Sequence, residues 1–188
     1  MKRTLGEYKR ALQGYQPGRA RGAVLAALSG ASRWAAAMRG LDDAHRRSVV
    51  ATLLETAWSI ACIDEAPDDG ERDAMRAVVA ALWNTTIEPA AEERMVNAAV
   101  EAVTKQGAAT RCAALGAKLK ALGFGELGVH LAALVAEVSH GLDPTELDAL
   151  RTLAQSAGVS EQTLHDMVRH TEEALAGGDP LARMSTFV

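Results

Sequence analysis

Residues 56–82 read TAWSIACIDEAPDDGERDAMRAVVAAL. An apolar stretch runs to about Ile63, an acidic turn follows around Pro67, and an amphipathic stretch leaves the turn. Apolar residues recur at helical spacing on both sides, which predicts two helices joined by the acidic turn. This helix–acidic turn–helix unit is the element around which we interpret the rest of the chain.

The helix–acidic turn–helix unit is repeated later in the sequence. The segment ERDAMR at 71–76 aligns with ELDALR at 146–151, and Asp68 aligns with Asp143. Internal repeats indicate repeated supersecondary structure. Two copies predict one pseudo-symmetric domain, and we expect a functional site to lie where the two acidic turns meet.

Composition predicts an all-α protein. Apolar residues make up 48% of the chain but aromatic residues only 4%, and alanine is abundant at helical spacing. We therefore expect a compact bundle of about seven to nine helices with an internal pseudo-two-fold repeat. A net charge of −4 argues against a nucleic-acid-binding protein, which needs a basic surface.

The sequence indicates a cytoplasmic protein. No apolar run reaches the roughly 18 residues that a membrane span needs, and no apolar segment directly follows the first basic residues, as a secretory signal requires. Cys62 and Cys112 lie in apolar helical patterns and form no CxxC pair, so buried free thiols are expected rather than a zinc site.

Three segments are expected along the chain. Residues 1–42 form an N-terminal helical extension, whose first 22 residues carry six Lys/Arg against Glu7. Residues 43–176 form the repeated domain, and residues 177–188 form a flexible tail. Four apolar tail residues are candidates for docking on a protein partner: Leu181, Met184, Phe187 and Val188.

The first acidic turn is a candidate metal site, because residues 64–73 contain six carboxylates. Ca²⁺ accepts about 6 to 8 oxygen ligands in a flexible shell, so such a cluster suits a divalent cation. An EF-hand is excluded, because a loop counted from Asp64 has Met75 where the bidentate glutamate belongs. The candidate ligands are Asp64, Glu65, Asp68, Asp69 and Glu71 in the first copy and Asp143 and Glu146, with Glu137 beside them, in the second.

Helix capping explains many of the same carboxylates without a metal. Asp68 and Glu71 have the spacing of a capping box, and Asp143 and Glu146 repeat it with a proline at the first helical position. Capping does not explain Asp64 or Glu65. Both alternatives, a cation site and a pair of caps, stay open at this point.

At these turns the sequence resembles the tellurite-resistance TerB family, whose domain also begins a membrane-anchored DnaJ-like co-chaperone. The resemblance covers about residues 43–176 and is carried by Ala61 to Glu65 (ACIDE) with Glu71, and by Ala136, His140-Gly141 and Glu146. It departs from the family pattern where Asp64-Glu65 and His140-Gly141 replace Asp-Gly. The resemblance implies an all-helical fold, an acidic metal-binding face and a scaffolding role in stress or phage defence.

Two functions follow from the sequence. The first is a non-enzymatic TerB-like interaction or scaffold protein whose acidic turn binds a divalent cation, Ca²⁺ first. The second is a plain adaptor without metal that docks on a larger assembly through its tail or its basic arm. No motif of a hydrolase, metalloprotease or nucleotide-binding loop is present. Both functions involve a protein partner, and the sequence leaves homo-oligomerisation open.

Overall fold

The computed structural model describes residues 37–64, 66–83 and 85–177. All regular secondary structure in these ranges is helical, which confirms the predicted all-α fold. Residues 37–39 are also helical. The full-length helices that follow are α1 (Asp43–Ala61), α2 (Asp69–Trp83), α3 (Pro89–Gln106), α4 (Ala108–Leu122), α5 (Gly125–His140), α6 (Pro144–Ala157) and α7 (Glu161–Gly177).

Several predictions fall on residues outside these ranges. The basic arm, the residues Leu181, Met184, Phe187 and Val188 of the tail, and the candidate ligand Glu65 all lie there. Within the described ranges, none of the helices is both long and apolar enough to cross a bilayer.

Local signals in the sequence set the ends of the helices. The Asp42 carboxylate accepts a hydrogen bond from the His45 backbone N–H at 2.8 Å and caps α1. Ser160 caps α7 in the same way, through the Thr163 N–H at 3.1 Å. Gly158 ends α6 with a φ of 78°, which glycine adopts without steric cost.

The helix α5 is the centre of the bundle. Its residues 131–136 are all buried, and α1, α2, α4, α6 and α7 pack against it. A helix that is apolar round its circumference must be enclosed on all sides. The order of the other helices therefore follows from the need to cover α5.

A second core cluster joins α1 to α2 and α3. Trp58 is fully buried there and packs with Met75 and Val96, so this large aromatic side chain anchors the packing of α1. Cys62 and Cys112 are buried free thiols, as expected. Burial raises the pKa of Cys62 to about 12 and that of Cys112 to about 11, so both thiols are neutral at physiological pH.

Gly116 has no side chain, and this allows α4 and α6 to approach each other closely. A Cβ atom added to Gly116 would lie 2.5 Å from the Leu153 carbonyl oxygen and 2.7 Å from the Ser156 Cβ. Both contacts are shorter than van der Waals separation, so only glycine fits at this crossing.

We expect Gly116→Ala to destabilise the protein by roughly 1–2 kcal/mol. Alanine gains up to about 1 kcal/mol of helix propensity, but the clash with the backbone of α6 costs about 1–3 kcal/mol or more. Urea unfolding measures the difference. Gly40→Ala is the control, because its added Cβ would meet only the Ala37 carbonyl oxygen, at 3.5 Å. Equal effects of the two substitutions would contradict the close approach.

Candidate functional site

The first acidic turn ends in a capping box at the start of α2. The Glu71 backbone N–H donates to Asp68 Oδ1 at 2.9 Å, and the Asp68 backbone N–H donates to Glu71 Oε2 at 2.8 Å. These reciprocal bonds satisfy donors that have no partner within the helix. Glu71 is buried. The cap predicted from the sequence is confirmed, and it carries a carboxylate into the interior.

The second acidic turn repeats this geometry at the start of α6. The Glu146 N–H donates to Asp143 Oδ1 at 2.8 Å, and the Asp143 N–H donates to Glu146 Oε2 at 3.0 Å. Glu146 is also buried. In addition, Glu137 Oε2 accepts the Leu142 N–H at 2.9 Å and so braces this turn from the end of α5.

The two buried glutamates belong to one electrostatic cluster. Negative charge on Glu146 raises the pKa of Glu71, and charge on Asp64 raises the pKa of both glutamates. Such coupling requires the groups to be close, because charge interactions fall off with distance. The carboxylates of the two turns are therefore near enough to interact electrostatically. We call the cluster of Asp64, Asp68, Glu71, Asp143 and Glu146 the acidic junction.

Burial is the main cause of the shifted pKa values at the acidic junction. Desolvation raises the pKa of Glu71 to about 8, against the opposing effect of its bond from the Asp68 N–H. Desolvation likewise raises the pKa of Glu146 to about 7. Neighbouring carboxylates add to the rise in both cases. Oε2 of each glutamate is occupied by its cap, and Oε1 accepts no hydrogen bond from the described residues.

The structure brings some of the predicted metal ligands together and leaves others apart. Asp64, Glu71 and Glu146 come from both halves of the repeat and interact, whereas Asp69 lies exposed in the first turn of α2. Within the described ranges, no three His, Cys, Asp or Glu side chains are arranged to hold a metal ion. Glu65 and the side chain of His140 lie outside the described residues.

The sequence predicted α1 to extend to about Ile63, but α1 ends two residues earlier. The Ile63 N–H bonds to the Ile60 carbonyl oxygen at 3.1 Å, which tightens the last turn. Asp64 is consequently three residues beyond the helix end at Ala61. The helix dipole disfavours a carboxylate only within the last turn. Asp64 lies beyond that turn, so the dipole of α1 destabilises its charge less than a helix ending at Ile63 would.

An ion-pair network beside the junction was not predicted. Glu92 on α3 is 1% exposed and binds Arg76 on α2 through two bonds of 2.8 and 3.0 Å. Arg72 donates to the same carboxylate at 3.2 Å and to the Pro67 carbonyl oxygen at 3.3 Å. The i,i+4 spacing of Arg72 and Arg76 predicts that they share a helix face. The sequence around them, however, does not identify Glu92 as their common partner.

No protein-family model, curated protein or solved structure gives a significant match to this chain. The resemblance to the TerB family rests on the short motifs at the two turns and stays a prediction. The acidic junction is therefore interpreted from its own chemistry.

We expect stability to fall as pH rises from about 4.5 to about 8. Below the unfolded pKa of 4.5, Glu71 and Glu146 are protonated in both states. Above it, the unfolded chain loses these protons while the folded chain keeps them up to about pH 8 for Glu71 and about pH 7 for Glu146. The folded state then binds more protons than the unfolded state, so the free energy of unfolding decreases with pH in this window.

The double variant Glu71→Gln/Glu146→Gln tests this expectation by urea unfolding across the pH range. Its glutamine oxygens can still accept the cap bonds, and the decline in stability between pH 4.5 and 8 should become shallower than in the wild type. Glu161→Gln is the control, because Glu161 also lies in a first helical turn but is exposed. An unchanged decline in the double variant would contradict the raised pKa values.

We expect Glu92→Gln to destabilise the protein by roughly 1–3 kcal/mol, because two arginines lose a buried carboxylate partner while staying partly exposed to water. Glu93→Gln is the matched control. Glu93 pairs with Arg72 from a side chain that is 57% exposed, and loss of a surface pair costs about 1 kcal/mol or less. Thermal unfolding compares the two. Equal losses would show that the buried network contributes no more than a surface pair.

Proposed function

We propose that this chain is a non-enzymatic interaction protein of TerB type, in which the acidic junction binds a divalent cation, Ca²⁺ first. The observation that carries the proposal is the burial of Glu71 and Glu146, one from each half of the repeat, with Asp64 close enough to raise the pKa of both. Oxygen ligands from carboxylates are those that Ca²⁺ prefers. Asp68, Asp143 and the sequence neighbour Glu65 complete the proposed ligand set.

The charges around the junction support a cationic ligand. Among the described residues, Arg72 and Arg76 are cations beside the first turn, and both are engaged by Glu92 on α3. In the part of the chain that the structure describes, the glutamates of the junction therefore have no guanidinium partner. Mutual repulsion of the carboxylates would be relieved by a bound cation, and such relief is a source of binding free energy. A basic side chain of a partner protein would serve the same carboxylates.

A second candidate function is supported by the capping boxes themselves. Both glutamates already accept backbone hydrogen bonds at their own helices. In this alternative the carboxylates act only as caps, no metal is bound, and the protein is an adaptor that docks through its tail or its basic arm. The residues that would carry this docking lie outside the described ranges, so the alternative depends on their sequence alone.

We expect Ca²⁺, Mg²⁺ or Mn²⁺ to raise the melting temperature of the protein relative to EDTA. A ligand that binds only the folded state at 100 times its Kd stabilises by about 2.7 kcal/mol, which amounts to several degrees for a domain of this size. The scan is made at a pH above 8, where the glutamates of the junction are charged.

Three variants decide between the two functions. Asp64→Asn, Glu71→Gln and Glu146→Gln should each reduce the cation-dependent shift, whereas the first-turn control Glu161→Gln should keep it. Neither amide substitution at a glutamate removes the cap acceptor, so the fold is preserved in EDTA. A wild-type protein with no shift, or variants that shift as the wild type does, would leave the adaptor function as the better proposal.

A further inference from the structure

An apolar groove lies between α1, α2 and the start of α3. Its volume is about 370 Å³, and its lining includes Val50, Leu54, Val79, Trp83 and Ile87. Val79 is buried, but the other four side chains are only half-buried. Covering apolar surface with a further apolar group removes it from water and is favourable. The groove is therefore a docking surface that the described helices leave open.

The turn before α1 directs the preceding chain back along α1. Three residues, 40–42, separate the helical residues 37–39 from α1, and helices joined by a loop of about 2–5 residues commonly form an antiparallel pair. Arg46 donates to the carbonyl oxygens of Met38 at 3.2 Å and Leu41 at 2.8 Å. The side chains of Met38 and Leu41 pack against the main core cluster. The turn is thus folded onto α1, and a helix continuing upstream of it runs antiparallel to α1.

The register of this turn brings the upstream segment to the groove. Arg46, Val50 and Leu54 follow one another at i,i+4 spacing, so they lie on one face of α1. Arg46 is beside Met38. In an antiparallel pair, four residues forward along α1 match four residues back along its neighbour, because both helices rise equally per residue. Trp34 is then the residue that arrives at Val50, to within about one helical turn.

Residues 22–36, which lie outside the described ranges, have the sequence of a segment that suits this groove. They read GAVLAALSGASRWAA and contain one charged residue, Arg33. Apolar residues recur there every three or four positions, as on one face of a helix. This apolar stripe consists of Val24, Leu28, Ala31, Trp34 and, after the segment, Met38. Because its last member packs against the core, the stripe faces the bundle if the helix continues upstream.

We propose that residues 22–36 form a helix antiparallel to α1 that covers the groove, with Trp34 seated against Val50 and Trp83. Burial of a large aromatic ring against apolar side chains is the main source of docking free energy. The small residue Gly30 follows one turn upstream, opposite Leu54, and allows the two helices to approach closely. The segment is in this way part of the helical bundle, and its docking does not depend on a cation at the acidic junction.

The rate of trypsin cleavage after Arg33 in the full chain tests the proposal, with the products identified by mass spectrometry. Cleavage of a docked helix requires local unfolding, so the wild type should be cut slowly at this bond. Val50→Glu puts a charge into the groove, where its burial is unfavourable. Cleavage after Arg33 should then rise about tenfold or more, since a loss of about 1.4 kcal/mol in docking corresponds to a factor of ten. Val100→Glu is the matched control, because Val100 is an exposed valine on α3 outside the groove, and it should be cut as the wild type is.

Trp34→Ala is the second variant, and it leaves every described residue unchanged. It should give the same faster cleavage, and Trp34→Ala/Val50→Glu should show no further increase, because both substitutions remove one interaction. Each rate is compared with that of a synthetic peptide of residues 28–39 with the same substitution, which corrects for the effect of Trp34 on trypsin itself. Equal cleavage after Arg33 in the wild type and both variants would overturn the proposal. Protection that disappears on dilution as a dimer dissociates in sedimentation would also overturn it, because a second copy of the chain then covers the groove.

Discussion

Burial of α5 on all sides is the constraint on which the rest of the structure depends. Five helices pack against it, and a helix enclosed in this way places most of its polar side chains near its two ends. Its C-terminal end leads through Gly141, at a φ of 77°, into the second acidic turn. The first acidic turn lies near that same end, because Glu71 is close enough to Glu146 to interact with it electrostatically. The acidic junction therefore lies at the C-terminal end of the central helix.

Buried glutamates in this fold are stabilised in two different ways. Glu92 is almost fully buried, and two arginines compensate its charge. Glu71 and Glu146 are buried as well, but each accepts a hydrogen bond from a backbone N–H group. Neighbouring carboxylates raise the pKa of both glutamates. A cap contributes about 0.5–2 kcal/mol locally, while desolvation of the charge opposes it. An added proton or cation at the junction would therefore relieve a buried charge that no cationic side chain among the described residues is seen to compensate.

Features that depend on neighbours in the sequence could be predicted. The helices, the capping boxes at Asp68 and Asp143, and the stop at Gly158 follow from spacings of a few residues. The proximity of the two turns could also be predicted, because the repeat implies symmetry. The partnership of Glu92 with Arg72 and Arg76 could not, since it joins helices whose register only packing decides.

The two halves of the junction are not equivalent, and their differences suggest which half controls a ligand. By the alignment of the repeat, Cys62 corresponds to Glu137 and Asp64 to Ser139. Glu137 is held by the Leu142 N–H, whereas the Cys62 thiol is neutral because burial raises its pKa to about 12. Asp64 is then one of the charged groups that the first half adds beyond the shared caps, and it acts on both buried glutamates. Under the proposed function, the first turn sets the affinity for a cation and the second turn contributes the buried carboxylate opposite it.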